Sequence, residues 1–169
     1  MLVQDLLNTP SREGTIPPES DPFVEPDALL EAQLLDVRFE ALTSMVGLLF
    51  EFRTAMNFVE GNTALLVAHG VQEFKWSGEA RSTGKTAWNV VGSVPTAAGG
   101  FLVLELDFLP VAQVRLVAKS AEFYVGNATG LDDQLPDYIE DNDAAVRANL
   151  ASWCSVFLPV QAMFLEAAT

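Results

Sequence analysis

Through the middle of this chain, apolar and polar side chains alternate with a period of two. Leu35, Val37 and Phe39 interleave with Asp36, Arg38 and Glu40, the pattern of a strand with one face on a core and the other in water. The next run sets Val46, Leu48, Phe50 and Phe52 on one face and Glu51 and Arg53 on the other. A helix is the competing reading of that run, but the phased alternation favours a strand, with Gly47 marking a bend. Further strands are expected at 63–68 and 71–76, with Gly70 as a bulge or tight bend between two segments that go on pairing. Residues 86–92 and 101–108 follow, the second ended by Pro110. A last long segment, 113–125, carries a bulge near Lys119 and Ser120, where the parity slips. Residues 93–100 hold Pro95, Gly99 and Gly100 and read as a loop.

The flanks read differently. Leu2, Val3, Leu6 and Leu7 share one face of a short helix over 1–8. Residues 9–27 form an extended arm rich in proline and acid, with Phe23 and Val24 as the side chains that would hold it to the body. The region 142–166 reads as helical. Asp141, Asn142 or Asp143 caps a helix running to about Ser155, and a short helix follows the break at Pro159. The connections within 32–126 are too short for βαβ crossovers, which need a dozen or more residues. The expected fold is therefore one domain over 1–169, mainly antiparallel β or α+β. Six to seven strands would form a sandwich, a partly open barrel or a curved sheet, with a C-terminal helix.

Charge narrows the functional classes. Nine basic side chains face 23 acidic ones, for a net charge of −14. Such a surface repels phosphate backbones and anionic bilayers, so neither nucleic acid nor membrane is an expected partner. A basic protein suits it better. Cys154, the sole cysteine, excludes an intrachain disulfide, and its neighbours Trp153, Val156 and Phe157 suggest a buried small hydrophobe. The first residues lack the basic region and apolar run of a signal peptide, which leads to the expectation of a cytoplasmic protein.

No motif for catalysis, metal or cofactor is complete. Ser82-Thr83-Gly84-Lys85-Thr86 ends like a phosphate loop. However, the glycine required five residues before Gly84 is replaced by Glu79, and strand-like Trp88, Val90 and Val91 follow where a helix is needed. His69, the only histidine, has no nucleophile motif near it and reads as a strand-end or turn residue. Six acidic residues between 132 and 143 lack the spacing of a calcium loop and read as a solvated connection or a docking surface for a basic partner. The carboxylate pairs Asp36 with Glu40 and Glu105 with Asp107 each share a strand face, and Arg38 between the first two suggests ordinary ion pairing. Trp76 and Trp88 flank the 77–87 turn, so pairing of their strands would make an aromatic patch for a ligand or protein. These six residues are the candidate contact sites.

In its β-rich order and acidic charge the chain resembles small immunity proteins of bacterial toxin systems, which bind and neutralise a toxin in the cytoplasm. The resemblance implies a non-enzymatic protein-interaction role. The competing expectations are a small-ligand-binding β-domain and an enzyme of unrecognised type. An exposed sheet edge would also allow a homodimer.

Overall fold

The computed structural model describes residues 1–79 and 84–168. It is mainly antiparallel β-sheet. Nine strands run β1 Gln33–Glu40, β2 Met45–Glu51, β3 Thr63–His69, β4 Glu73–Gly78, β5 Trp88–Ala98, β6 Phe101–Leu109, β7 Ala112–Ala118, β8 Ser120–Ala128 and β9 Phe157–Leu165. A 3-10 helix, Val3–Leu7, precedes them, and one short α-helix, α1 Asp143–Ala148, sits between β8 and β9. All nine strands belong to one sheet in the order β4-β7-β6-β5-β1-β2-β3-β8-β9. It does not close into a barrel: β4 and β9 are its two edges.

The sheet curls. β6 and β8 touch although four strands separate them in the order. Side chains from both halves meet on the inner face, where Val46, Leu48 and Phe50 of β2 share one buried cluster with Leu104, Leu106 and Phe108 of β6. A second cluster covers the outer face of the centre. Val3, Leu6 and Leu7 pack with Ala151 and Trp153 over Leu49, Leu65, Val67 and Tyr124. Strands β2 and β3 are therefore buried on both faces. Gly47 is needed here, because a Cβ would lie 2.7 Å from Leu7 Cδ2 and 3.1 Å from the Trp153 ring.

Several expectations change. The strand count is nine rather than six or seven. The segments after Gly70 and before it do not pair: β3 lies between β2 and β8, while β4 crosses to the far edge against β7. Where a bulge is expected near Lys119, the chain instead passes from β7 to β8, which pair with different strands. Residues 93–98 are strand, not loop. β5 meets β1 only at Asn89 and Trp88, so at Pro95 its far side is unpaired and the missing N–H costs no ladder bond. The helix at 143 is shorter than expected, although Asn142 does cap it, accepting from Ala145 N–H at 2.8 Å. The last segment is strand β9: Met163 and Leu165 face the inner cluster while Ala162 and Phe164 face the outer one. Cys154 is exposed, because the burial in that stretch falls to Trp153.

The arm over 9–27 turns at Glu13–Gly14 and at Pro22–Val24, and between the two turns Ile16 bridges to Gln161 on the outer edge of β9. Phe23 anchors it in the inner core, whereas Val24 faces solvent. No helix among the described residues is long and apolar enough to cross a membrane.

Candidate functional site

Acidic side chains gather at one end of the sheet, where β1 begins, β2 ends and β3 begins. Residues 19–31 reach this end before β1, and residues 52–62 connect β2 to β3 there. The two segments are stitched together. Met56 N–H donates to the Leu30 carbonyl at 3.0 Å. Thr54 Oγ1 donates to the Glu31 carbonyl at 2.6 Å, and Asn57 Nδ2 to the Asp27 carbonyl at 2.9 Å. The segments carry Glu19, Asp21, Glu25, Asp27, Glu31 and Glu60 and no basic residue except Arg53. Three apolar side chains stand out among these carboxylates: Val24 (67% exposed), Met56 (68%) and Val59 (94%).

Two of the carboxylates lie on strained backbone. Asp27 and Glu31 have φ of 61° and 63°, a region costly to residues other than glycine. β5 holds both in place. Asp27 N–H donates to the Ser93 carbonyl at 2.7 Å and Glu31 N–H to the Val90 carbonyl at 2.9 Å. Asp27 Oδ1 accepts from Ser93 N–H. The segment is thus a fixed surface rather than a loose arm.

The second acidic stretch, 132–143, is tied to the same end by Arg53. Its guanidinium forms two bonds with buried Glu51, Nε to Oε1 at 2.8 Å and Nη2 to Oε2 at 2.7 Å. The remaining donors reach the Asp132, Gln134 and Asn149 carbonyls. Tyr138 adds a bond to Gln33 Oε1 at 2.9 Å. Burial first, and then the negative charge of Glu51, push the Tyr138 phenol up to about 12. Asp132, Asp133, Asp137, Glu140 and Asp141 extend the acidic surface. Asp143 is the exception, paired with Arg147 at 3.0 Å and near Lys85 at 4.0 Å. Backbone N–H groups of Glu140 and Ile139 hold the Asp137 carboxyl below its ordinary range, and the Ser20 hydroxyl and Asp21 N–H do the same for Glu25. Among the described residues, no three His, Cys, Asp or Glu side chains converge as metal ligands.

The sequence-derived candidates lie elsewhere. Asp36 accepts from Trp153 Nε1 at 2.7 Å, and the Arg38 guanidinium stacks on the Trp153 ring with its Cζ 4.7 Å from the ring centroid. Glu40 takes the Thr43 hydroxyl. The ion pairing expected of Arg38 with Asp36 and Glu40 is thus replaced by packing against Trp153. Arg38 and Glu40 line an open groove of about 630 Å³ with Gln4, Asp5, Asn8 and Thr9. Glu105 pairs with Arg115 at 2.9 Å, and Asp107 accepts from Gln113 at 2.8 Å. Trp76 and Trp88 do meet, edge to face at 5.1 Å, with Phe108 5.8 Å from Trp76. They do so across the curl of the sheet, since β4 and β5 are not neighbours. Ser82 and Thr83 of the phosphate-loop look-alike lie outside the described residues.

His69 ends β3, and its Nε2 lies 3.0 Å from Glu122 Oε1. The other Glu122 oxygen accepts from the Tyr124 hydroxyl at 2.5 Å, and Tyr124 Oη in turn accepts from Ser11 N–H at 3.3 Å. Both carboxylate oxygens are occupied, and the group fastens the N-terminal segment to the outer face.

What sequence reasoning missed is the acidic end as a surface. Its signal was present: among residues 13–74 the only arginines or lysines are Arg38 and Arg53. The fold then places Arg38 against Trp153 and engages Arg53 with Glu51. No protein-family model, characterised protein or solved structure matches this chain.

Proposed function

We propose that this chain is a non-enzymatic protein-interaction module that captures a basic protein on its acidic end. The observation that carries the reading is the surface formed by residues 19–31 and 54–60, where exposed Val24, Met56 and Val59 stand among carboxylates with no neighbouring cation in the same segments. Charge of one sign speeds encounter with a partner of the other sign. Desolvated apolar side chains at the centre of a polar rim supply the affinity that holds it. The strained but well-anchored backbone at Asp27 and Glu31 supports a preformed docking surface, which lowers the ordering cost of binding. Inhibition of a toxin or nuclease by covering its basic substrate-binding surface is the concrete form that this reading takes.

The test compares three baits by affinity purification: the native chain, E19Q/E25Q/E31Q/E60Q, and V24S/M56S/V59S. A basic protein retained by the native chain and lost by both variants, with an association rate that falls as salt rises, supports the reading. Equal retention by all three baits, or a partner whose association rate ignores salt, overturns it.

A further inference from the structure

The two edges of the sheet are treated differently. Along β9, the arm covers the backbone at Ile16, whose N–H donates to the Val160 carbonyl at 3.1 Å and whose carbonyl accepts from Ala162 N–H at 2.9 Å. Along β4, no described residue pairs with the outer side. Glu79 N–H donates to the Val111 carbonyl, and the β4–β7 register pairs Ser77 with Gln113 and Lys75 with Arg115. In an antiparallel ladder, hydrogen-bonded residues alternate with outward-facing ones. Phe74, Trp76 and Gly78 therefore present N–H and C=O groups to the outside. An edge of this kind is a template for another strand unless it is blunted by proline, bulges or charge. β4 has no proline, and its one cation is Lys75.

We infer that β4 pairs antiparallel with β4 of a second copy of this chain, Phe74 opposite Phe74. Charge selects the occupant and, together with the cross-strand pairing of two Phe74 rings, the register. Five two-fold registers suit the outward backbone groups, centred on residues 74 to 78. Centring on Lys75 sets Lys75 against Lys75. Centring on Trp76 sets Glu73 against Glu79. Centring on Ser77 also sets opposite charges across the ladder, Lys75 against Glu79, but places Trp76 against Gly78. Centring on Gly78 sets Lys75 against Arg81. Centring on Phe74 sets Glu73 against Lys75 twice, once on each side of the axis. Opposite charges directly across a ladder stabilise it, and like charges do the reverse. β4 is also a locally balanced stretch of a chain with net charge −14, with Glu73 and Lys75 beside Arg115, so two copies approach there with less repulsion than through their acidic ends. Trp76, 42% exposed and already packed on Trp88 and Phe108, lies beside the new strand and gains cover from Gln72 of the second copy. In this register only residues 73–75 of each β4 lie opposite β4 of the other copy, and the Gln72 N–H is already given to the Val117 carbonyl, so the association is of the weak, concentration-dependent class rather than an obligate dimer.

Sedimentation velocity over a concentration series tests this with the full-length chain and two exposed-site variants, K75E and E73K, each shown folded by its thermal transition. The native chain is expected to pass from monomer to dimer as concentration rises. Each variant alone should dimerise about tenfold or more weakly, because both cross-strand pairs become repulsive. An equimolar mixture of K75E and E73K should recover dimers, since the two carboxylates of one variant then lie opposite the two ammonium groups of the other. A native chain that stays monomeric, variants that dimerise as well as the native chain, or a mixture that does not recover association would each overturn the inference.

Discussion

At the scale of single residues, the Arg53–Glu51 pair governs the acidic end. Glu51 is fully buried, and the Arg53 side chain is 9% exposed. Removing one member of a buried pair leaves a charge without water or counter-ion, at a cost of about 3–5 kcal/mol. Arg53→Met should therefore lower the unfolding free energy by about that much in urea titrations. The double variant E51M/R53M should lose much less, since no charge remains buried. A second prediction concerns the two tyrosines. Burial and Glu122 raise the Tyr124 phenol, and burial and Glu51 raise Tyr138 to about 12. Folding thus favours the neutral phenols. The stability they lend is complete below the unfolded pKa of about 10 and is lost as pH rises through the folded values. Absorbance at the tyrosinate band should show neither phenol half-ionised at that unfolded value while the protein is folded. A tyrosinate signal there from folded protein would contradict it.

At the scale of elements, close approach of backbone sets the tolerances. A Cβ on Gly126 would stand 2.2 Å from the Leu158 carbonyl oxygen and 2.7 Å from Pro159 Cα, both main-chain atoms of β9. On Gly47 it would first meet the end of the Leu7 side chain. Gly47→Ala should cost about 1–3 kcal/mol, by displacing Leu7 and Trp153. Gly126→Ala should cost more, because a strand has to move rather than a side chain. Chemical denaturation of the two variants side by side checks the order. Periodicity read correctly at β6, where Leu104, Leu106 and Phe108 are buried between exposed Glu105 and Asp107. It failed at β1, where a bulge between Leu34 and Asp36 turns Leu35 to the outer cluster while Val37 packs on the inner one, and Phe39 is 58% exposed. It failed where pairing partners changed. Ser120 looks like a slipped position in one strand, yet Lys119 separates two strands with different neighbours. It also failed at β9, whose Val160-Gln161-Ala162-Met163 run alternates only weakly and follows a proline that elsewhere ends strands.

At the scale of the whole molecule, a net charge of −14 on 169 residues sets like charges against one another. Counter-ions screen that repulsion over about 10 Å at 0.1 M salt. The thermal midpoint should therefore rise between low and moderate sodium chloride at neutral pH, as scanning calorimetry would register. A midpoint that falls would mean that attractive ion pairs outweigh the repulsion. Composition and alternation alone determined that the chain is a β-rich, strongly acidic protein, because side-chain period and charge are properties of neighbouring residues. They also revealed the scarcity of cations from residue 13 to 74. Only the tertiary structure decided the strand order, the meeting of Trp76 with Trp88 across the curl, and the gathering of residues 19–31, 52–62 and 132–143 at one end. Those relations depend on pairings between residues far apart in the chain. A pattern read along one strand says which face is buried, but not which strand lies beside it.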